Sequence, residues 1–126
     1  IIGLPGDQIL VRAGVVTVNG QPLKRRSVSR FELGRELKLP EYVNVFEETT
    51  PEGLSYRIAE GWGHSGLMDA GPYVVPPGHC FVMGDSRDNA VDSRTPKERG
   101  GVGFVPLENI LGPATIRFFQ LGLDLE

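Results

Sequence analysis

The chain has 126 residues, 40% of them hydrophobic, and a formal net charge of -3. That length fits one domain with room for a subdomain insertion, and the apolar fraction is enough for a core. The negative balance gives no ground for a nucleic-acid partner, and the single cysteine, Cys80, excludes an internal disulfide.

Ile1-Ile2-Gly3-Leu4 reads as a strand entered midway, the expectation for a piece of a longer protein. Pro5-Gly6-Asp7 closes it with turn chemistry: Pro sets φ, and Gly takes the left-handed position of a type II turn. Gln8–Arg12 and Val15–Val18 follow as strands, separated by Ala13-Gly14. Asn19-Gly20 is a strong short-range hairpin signal, since both residues tolerate positive φ. Gln21-Pro22-Leu23 returns from it. No apolar run approaches the roughly 20 residues of a transmembrane helix, and no signal peptide is visible.

Residues 24–72 differ in character. Lys24, Arg25, Arg26 and Arg30 make a basic start, and Glu41, Glu47, Glu48, Glu52 and Glu60 an acidic remainder. Without an amphipathic stripe, the basic run reads as a solvated strand or loop. Tyr42–Thr49 and Leu54–Ala59 alternate apolar against polar around Thr50-Pro51-Glu52-Gly53, which predicts a second hairpin. Gly61–Gly66 is Gly-rich but lacks the Lys and the strand-to-helix context of a phosphate loop. His64 and His79 have no Cys or carboxylate at ligand spacing, so a metal site is not expected.

His79-Cys80-Phe81-Val82-Met83 is a short apolar run bounded by turn residues, which predicts a buried strand with Cys80 as a packed thiol. Gly84-Asp85-Ser86-Arg87-Asp88-Asn89-Ala90-Val91-Asp92-Ser93-Arg94 leaves it with three Asp and two Arg in eleven residues. Charges near a core cost several kcal/mol unless paired. Asp85, Asp88 and Asp92 against Arg87 and Arg94 form a set able to neutralise itself; the alternative is a solvated charged loop. Thr95–Gly101 reads as a polar loop, Val102–Pro106 as a short strand, and Leu107–Gly112 as a single turn before a last strand, Ala114–Phe119. Core or self-association is the reading of the apolar finish, Ile116 to Leu123, with a patch leaning on a bilayer as the alternative. No long helical period is present, so the fold expected is all-β, antiparallel, largely one curled sheet with a β insertion.

Several of these phrases resemble the bacterial type I signal peptidases of peptidase family S26. They are Gly-Leu-Pro-Gly-Asp at 3–7, the Val18-Asn19-Gly20 turn, Pro76-Pro77-Gly78-His79, the Gly84–Arg94 block, and Val102-Gly103-Phe104-Val105-Pro106. The resemblance spans 1–23 and 73–119. It implies a barrel-like signal-peptidase (LexA-like) fold, with residues 1–23 and 73–126 in a catalytic-core β domain and 24–72 as an inserted non-catalytic β subdomain. It implies removal of Ala-x-Ala signal peptides from exported preproteins by a serine nucleophile and a lysine general base. The expected location is the periplasmic face of the bacterial inner membrane, at the membrane surface, with no metal, cofactor or nucleic acid. By the same alignment the lysine lies two positions before Ile1 and the serine further upstream, so this stretch by itself is expected to be inactive. Ser27, Ser29, Ser55, Ser65, Ser86 and Ser93, and Lys24, Lys38 and Lys97, all lie outside the dyad motif.

The resemblance assigns support of the site to Gly84, Asp85, Ser86, Arg87, Asp88, Ala90, Asp92, Ser93 and Arg94. Gly84 leaves room for the lysine, Asp92 and Arg94 form a buried ion pair, and Asp85, Arg87 and Asp88 set the loop shape. Three residues depart from the family's pattern: Ser86 where Asn is usual, Ala90 where Ser is usual, and Pro113 where Arg is frequent. The Ser at position 90 is the one expected to hydrogen-bond the lysine amine. Ala90 therefore keeps two other readings open: an inactive S26-like β module with a binding or structural role, or a specialised S26 peptidase of conjugative transfer or pilus maturation.

Overall fold

Strands β1 (Gln8–Arg12) and β2 (Val15–Val18) pair antiparallel, with Ile9 opposite Val18 and Val11 opposite Val16. The structure is a computed structural model, and it describes residues 1–32, 42–61 and 67–115. β-Branched residues fill a pleated, half-buried surface well, and Ile9, Val11 and Val16 are fully buried. Asn19 and Gly20 take φ of 51° and 80°, as a two-residue hairpin requires, and turn β2 into β3 (Gln21–Pro22). On the other side of β1 lies β7 (Ala70–Val74), antiparallel, with a register shift between Ile9 and Val11. The sheet order is β3-β2-β1-β7.

Residues 24–60 supply a second antiparallel sheet, β4-β5-β6, from β4 (Lys24–Glu32), β5 (Tyr42–Thr49) and β6 (Ser55–Glu60). The hairpin expected at 42–59 is present, and the basic run is a strand rather than a loop. Its charges find partners across the sheet: Arg25 pairs with Glu60 at 2.5 Å and Arg26 with Glu47 at 2.9 Å. Arg25 and Arg30 also stack over Phe46 and Tyr42 at 3.6 and 3.9 Å.

The main core is Ile9, Val11, Val16, Leu23, Val75 and Phe81, with Tyr73 and Phe104 packed around Phe81 at centroid distances of 5.0 and 6.1 Å. Cys80 is buried, as expected of a small apolar thiol.

The strand expected over 79–83 is shorter. Only β8 (His79–Cys80) pairs with β9 (Val105–Pro106), and Phe81 then changes partner and bridges Gly3. The reason lies in the charged block, which captures the next backbone groups with its own side chains. Ser93 Oγ accepts from Val82 N at 2.9 Å and Asp92 Oδ2 from Gly84 N at 3.0 Å.

The strand expected at the start contracts to that bridge at Gly3. The expected turn at 107–112 is a 3-10 turn over Leu107–Asn109, and Val102–Pro106 is a strand only at its last two residues. Lys97–Arg99 forms another 3-10 turn inside the expected loop. Ala114 and Thr115 carry no strand, and the rest of the expected last strand, the apolar finish, and His64 lie outside the described residues. The fold is all-β and antiparallel, with no α-helix among the described residues, in sheets that do not close into a barrel.

Candidate functional site

Gly84 sits where the apolar run ends and the charged block begins, and two buried ion pairs meet on it. Its N–H donates to Asp92 Oδ2 at 3.0 Å, and its carbonyl accepts from Arg87 Nε at 3.0 Å. A Cβ added here would lie 2.5 Å from Cβ of Ala90, closer than side-chain atoms approach one another. The position therefore requires glycine, and its neighbour across the gap is residue 90.

The first pair is Asp92 with Arg94. Arg94 Nε and Nη2 reach Asp92 Oδ1 and Oδ2 at 2.9 and 2.7 Å, a planar two-point contact. Asp92 also accepts the Arg94 backbone N–H at 3.1 Å, so its two oxygens hold both ends of the block. The third arm of Arg94 donates to Leu67 O at 2.9 Å, and Tyr73 O–H donates to Arg94 O at 3.0 Å. Burial pushes the Tyr73 phenol above its ordinary 10.0, opposed by the Arg94 charge beside it.

The second pair corrects the expectation that the block neutralises itself. Arg87 pairs with neither Asp85 nor Asp88. Its Nη1 donates to Glu48 Oε2 at 3.0 Å and its Nη2 to Glu48 Oε1, with both residues buried. Tyr56 O–H donates to Glu48 Oε1 at 2.8 Å. Burial, together with the Glu48 carboxylate it binds, pushes the Tyr56 phenol well above its ordinary value. Asp85 fails as a partner because its side chain is exposed and accepts from the adjacent Ser86 N at 2.9 Å. Asp88 is buried and accepts from Gly61 N at 3.0 Å.

Backbone contacts join the same elements. Ala59 N donates to Asp85 O at 2.8 Å and Arg87 N to Ala59 O at 2.9 Å, a parallel bridge from β6 to the block. Ser86 O closes the turn to Ala90 N at 2.9 Å, while Ser86 Oγ is buried with no hydrogen-bond partner among the described residues. Ser93 is tied to Val82 through both its N–H and its hydroxyl. Beside Gly84 lies a cavity of about 380 Å³, lined by Ile1, Ile2, Tyr56, Ile58, Met83 and Asp85 among others.

The expected set, Gly84, Asp85, Ser86, Arg87, Asp88, Ala90, Asp92, Ser93 and Arg94, lies in one block around Gly84, and the structure adds Glu48, Tyr56 and Ala59, which the sequence reading did not include. A signal was available. Arg25, Phe46, Glu48, Tyr56 and Ile58 share one face of the predicted hairpin and its neighbour strand, by register. A carboxylate in line with Phe46 and Ile58 calls for a buried cation, and Arg87 is one.

The S26 profile described as "Signal peptidase, peptidase S26" matches residues 1–119. A signal peptidase I of Rickettsia typhi is 34% identical over 126 residues, covering 95% of this chain and 44% of that protein. One of Rickettsia conorii is 33% identical with the same coverage, and one of Rickettsia akari is 32% identical over 98% of this chain and 46% of its own length. This chain therefore spans less than half the length of these relatives. Over nearly all of its length it matches one family and no short motif alone, and on that ground the chain belongs to the signal peptidase family, peptidase S26.

Proposed function

We propose that this chain is the part of a type I signal peptidase that builds the wall behind the reacting lysine. The whole protein removes Ala-x-Ala signal peptides from exported preproteins as a serine endopeptidase, on the periplasmic face of the inner membrane. The serine and the lysine lie upstream of Ile1, residues 24–72 form the inserted subdomain, and this stretch alone is inactive.

The observation that carries the reading is the double tether of Gly84, which fixes a residue without a side chain beside the cavity that Ile1 and Ile2 also line. The bridge between Gly3 and Phe81 is antiparallel. An upstream chain continuing in that antiparallel direction would run toward Gly84 and Asp85, which supports placing the lysine there. A lysine amine, with an ordinary pKa of about 10.4, becomes a base near pH 7 only when an apolar, closely packed site removes its solvent. Such an amine takes the proton of a serine hydroxyl, as histidine does in a triad. We assign the shaping of that site to this chain's residues around Gly84.

Ala90 leaves the amine without the usual hydroxyl at its side. We assign that function to Ser86, whose Oγ is buried and unpartnered among the described residues, within the turn that ends at Ala90. Losing a hydrogen bond to the base costs about 1–3 kcal/mol, or roughly one to two decades in rate.

The experiment is cleavage of an Ala-x-Ala precursor by the full-length protein carrying Ser86→Ala, Ala90→Ser, or both. Ser86→Ala lowers the rate by roughly one to two decades, and adding Ala90→Ser recovers it. An unchanged rate in Ser86→Ala contradicts the assignment of that hydroxyl. No cleavage by any form, the unaltered protein included, contradicts the peptidase reading and leaves the inactive module.

A further inference from the structure

Glu48 lies 39 positions before Arg87 in the chain, on a different sheet from the apolar run, yet it is the carboxylate that seats the Arg87 side chain. We propose that Glu48 is a positioning residue for the peptidase reaction: through Arg87 it fixes the carbonyl of Gly84, and with it the wall facing the reacting lysine. This inference rests on the proposed function and extends it to the β5–β6 hairpin.

Stability alone is a poor account of this pair. Glu48 is 1% exposed and Arg87 2% exposed. Burying two charges removes their hydration, and the attraction between them roughly offsets that loss, so apolar residues of similar volume often serve as well. Geometry gives a better account. A guanidinium is planar with its donors in a fixed fork, so seating both Nη groups on one carboxylate determines where Nε points. Here Nε points to Gly84 O at 3.0 Å. Tyr56, donating to Glu48 at 2.8 Å, fixes the carboxylate in turn. The backbone bridge at Ala59 holds only Asp85 and Arg87. Gly84 lies one residue beyond it, and the Arg87 side chain carries the constraint across that step.

The test uses the full-length protein, an Ala-x-Ala precursor, and three variants: Glu48→Gln, Tyr56→Phe, and the double variant Glu48→Leu with Arg87→Met. Each is read for kcat, KM and melting temperature. Glu48→Gln lowers kcat roughly tenfold or more, the scale of one lost charge-assisted hydrogen bond, with KM changed by less than about twofold. Tyr56→Phe, which keeps the ion pair, lowers kcat by a smaller factor. The double variant replaces both charges with apolar side chains and regains the melting temperature, while kcat stays low because Gly84 O has lost its donor. Two results overturn the role: unchanged kcat in Glu48→Gln, or kcat that returns together with the melting temperature in the double variant. An unaltered protein that cleaves nothing overturns the functional reading and takes this role with it, whereas an active one with an unaffected Glu48→Gln variant overturns this role alone.

Discussion

Gly84 is held by charge from both sides: Asp92 takes its N–H and Arg87 its carbonyl, at 3.0 Å each. Among the described residues, Asp92 is also the one carboxylate paired with Arg94, so the pair stands or falls with it. Asp92→Asn leaves a buried guanidinium without its counter-charge and costs about 3–5 kcal/mol. The check is the urea midpoint of the variant, with the slope of the transition unchanged; a midpoint equal to that of the unaltered chain would refute it. The Asp92–Arg94 contact was legible in the sequence because the two residues stand two apart in one turn. The partner of Arg87 was not, because a count of neighbouring charges favours Asp85 and Asp88, which are close in the chain. Burial decides the matter differently: Asp85 faces solvent, and Glu48 waits on a face it shares with Phe46 and Ile58.

Hairpins were the most legible elements, since their turns are written locally. Asn19-Gly20 takes the positive φ that its residue types allow, and 42–60 alternates as a two-stranded unit. Strand lengths were less legible. The run His79–Met83 has the composition of one strand, but the side chains of Ser93 and Asp92 intercept the Val82 and Gly84 amides. Such competition comes from residues about ten positions later, so periodicity alone does not reveal it. The strands β6 and β7 each also place a tyrosine against an ion pair. Tyr56 and Tyr73 both titrate above 10.0 in the folded chain, first through burial. Folding thus holds their protons more tightly than the unfolded chain does. Their contribution to stability is complete below about pH 10 and falls as pH rises from there toward the folded values. Urea midpoints measured from pH 8 to 11 decline on the alkaline side, and Tyr56→Phe flattens that decline. A decline of the same steepness in Tyr56→Phe would exclude Tyr56 as its source.

At the scale of the molecule, the sheet of residues 24–60 and the core sheet around β1 meet at the Gly84–Arg94 block. Ala59 and Gly61 reach it through backbone N–H groups, Glu48 through Arg87, and Leu67 through Arg94. The all-β class was legible because the chain offers short strand runs and turn signals and no long helical period, and the family because its phrases recur in order along the chain. The convergence was not, since it depends on how two sheets pack, and no local pattern encodes that. On the proposed reading, its central consequence is a wall that packs on a lysine of the preceding segment. The measurement that tests this reading most directly is the rate at which the full-length protein cuts an Ala-x-Ala precursor, beside a variant with methionine for the lysine expected two positions before Ile1. Cleavage after the second alanine, abolished in the methionine variant, is the result predicted. Either an inactive unaltered protein or undiminished cleavage by the methionine variant would contradict it.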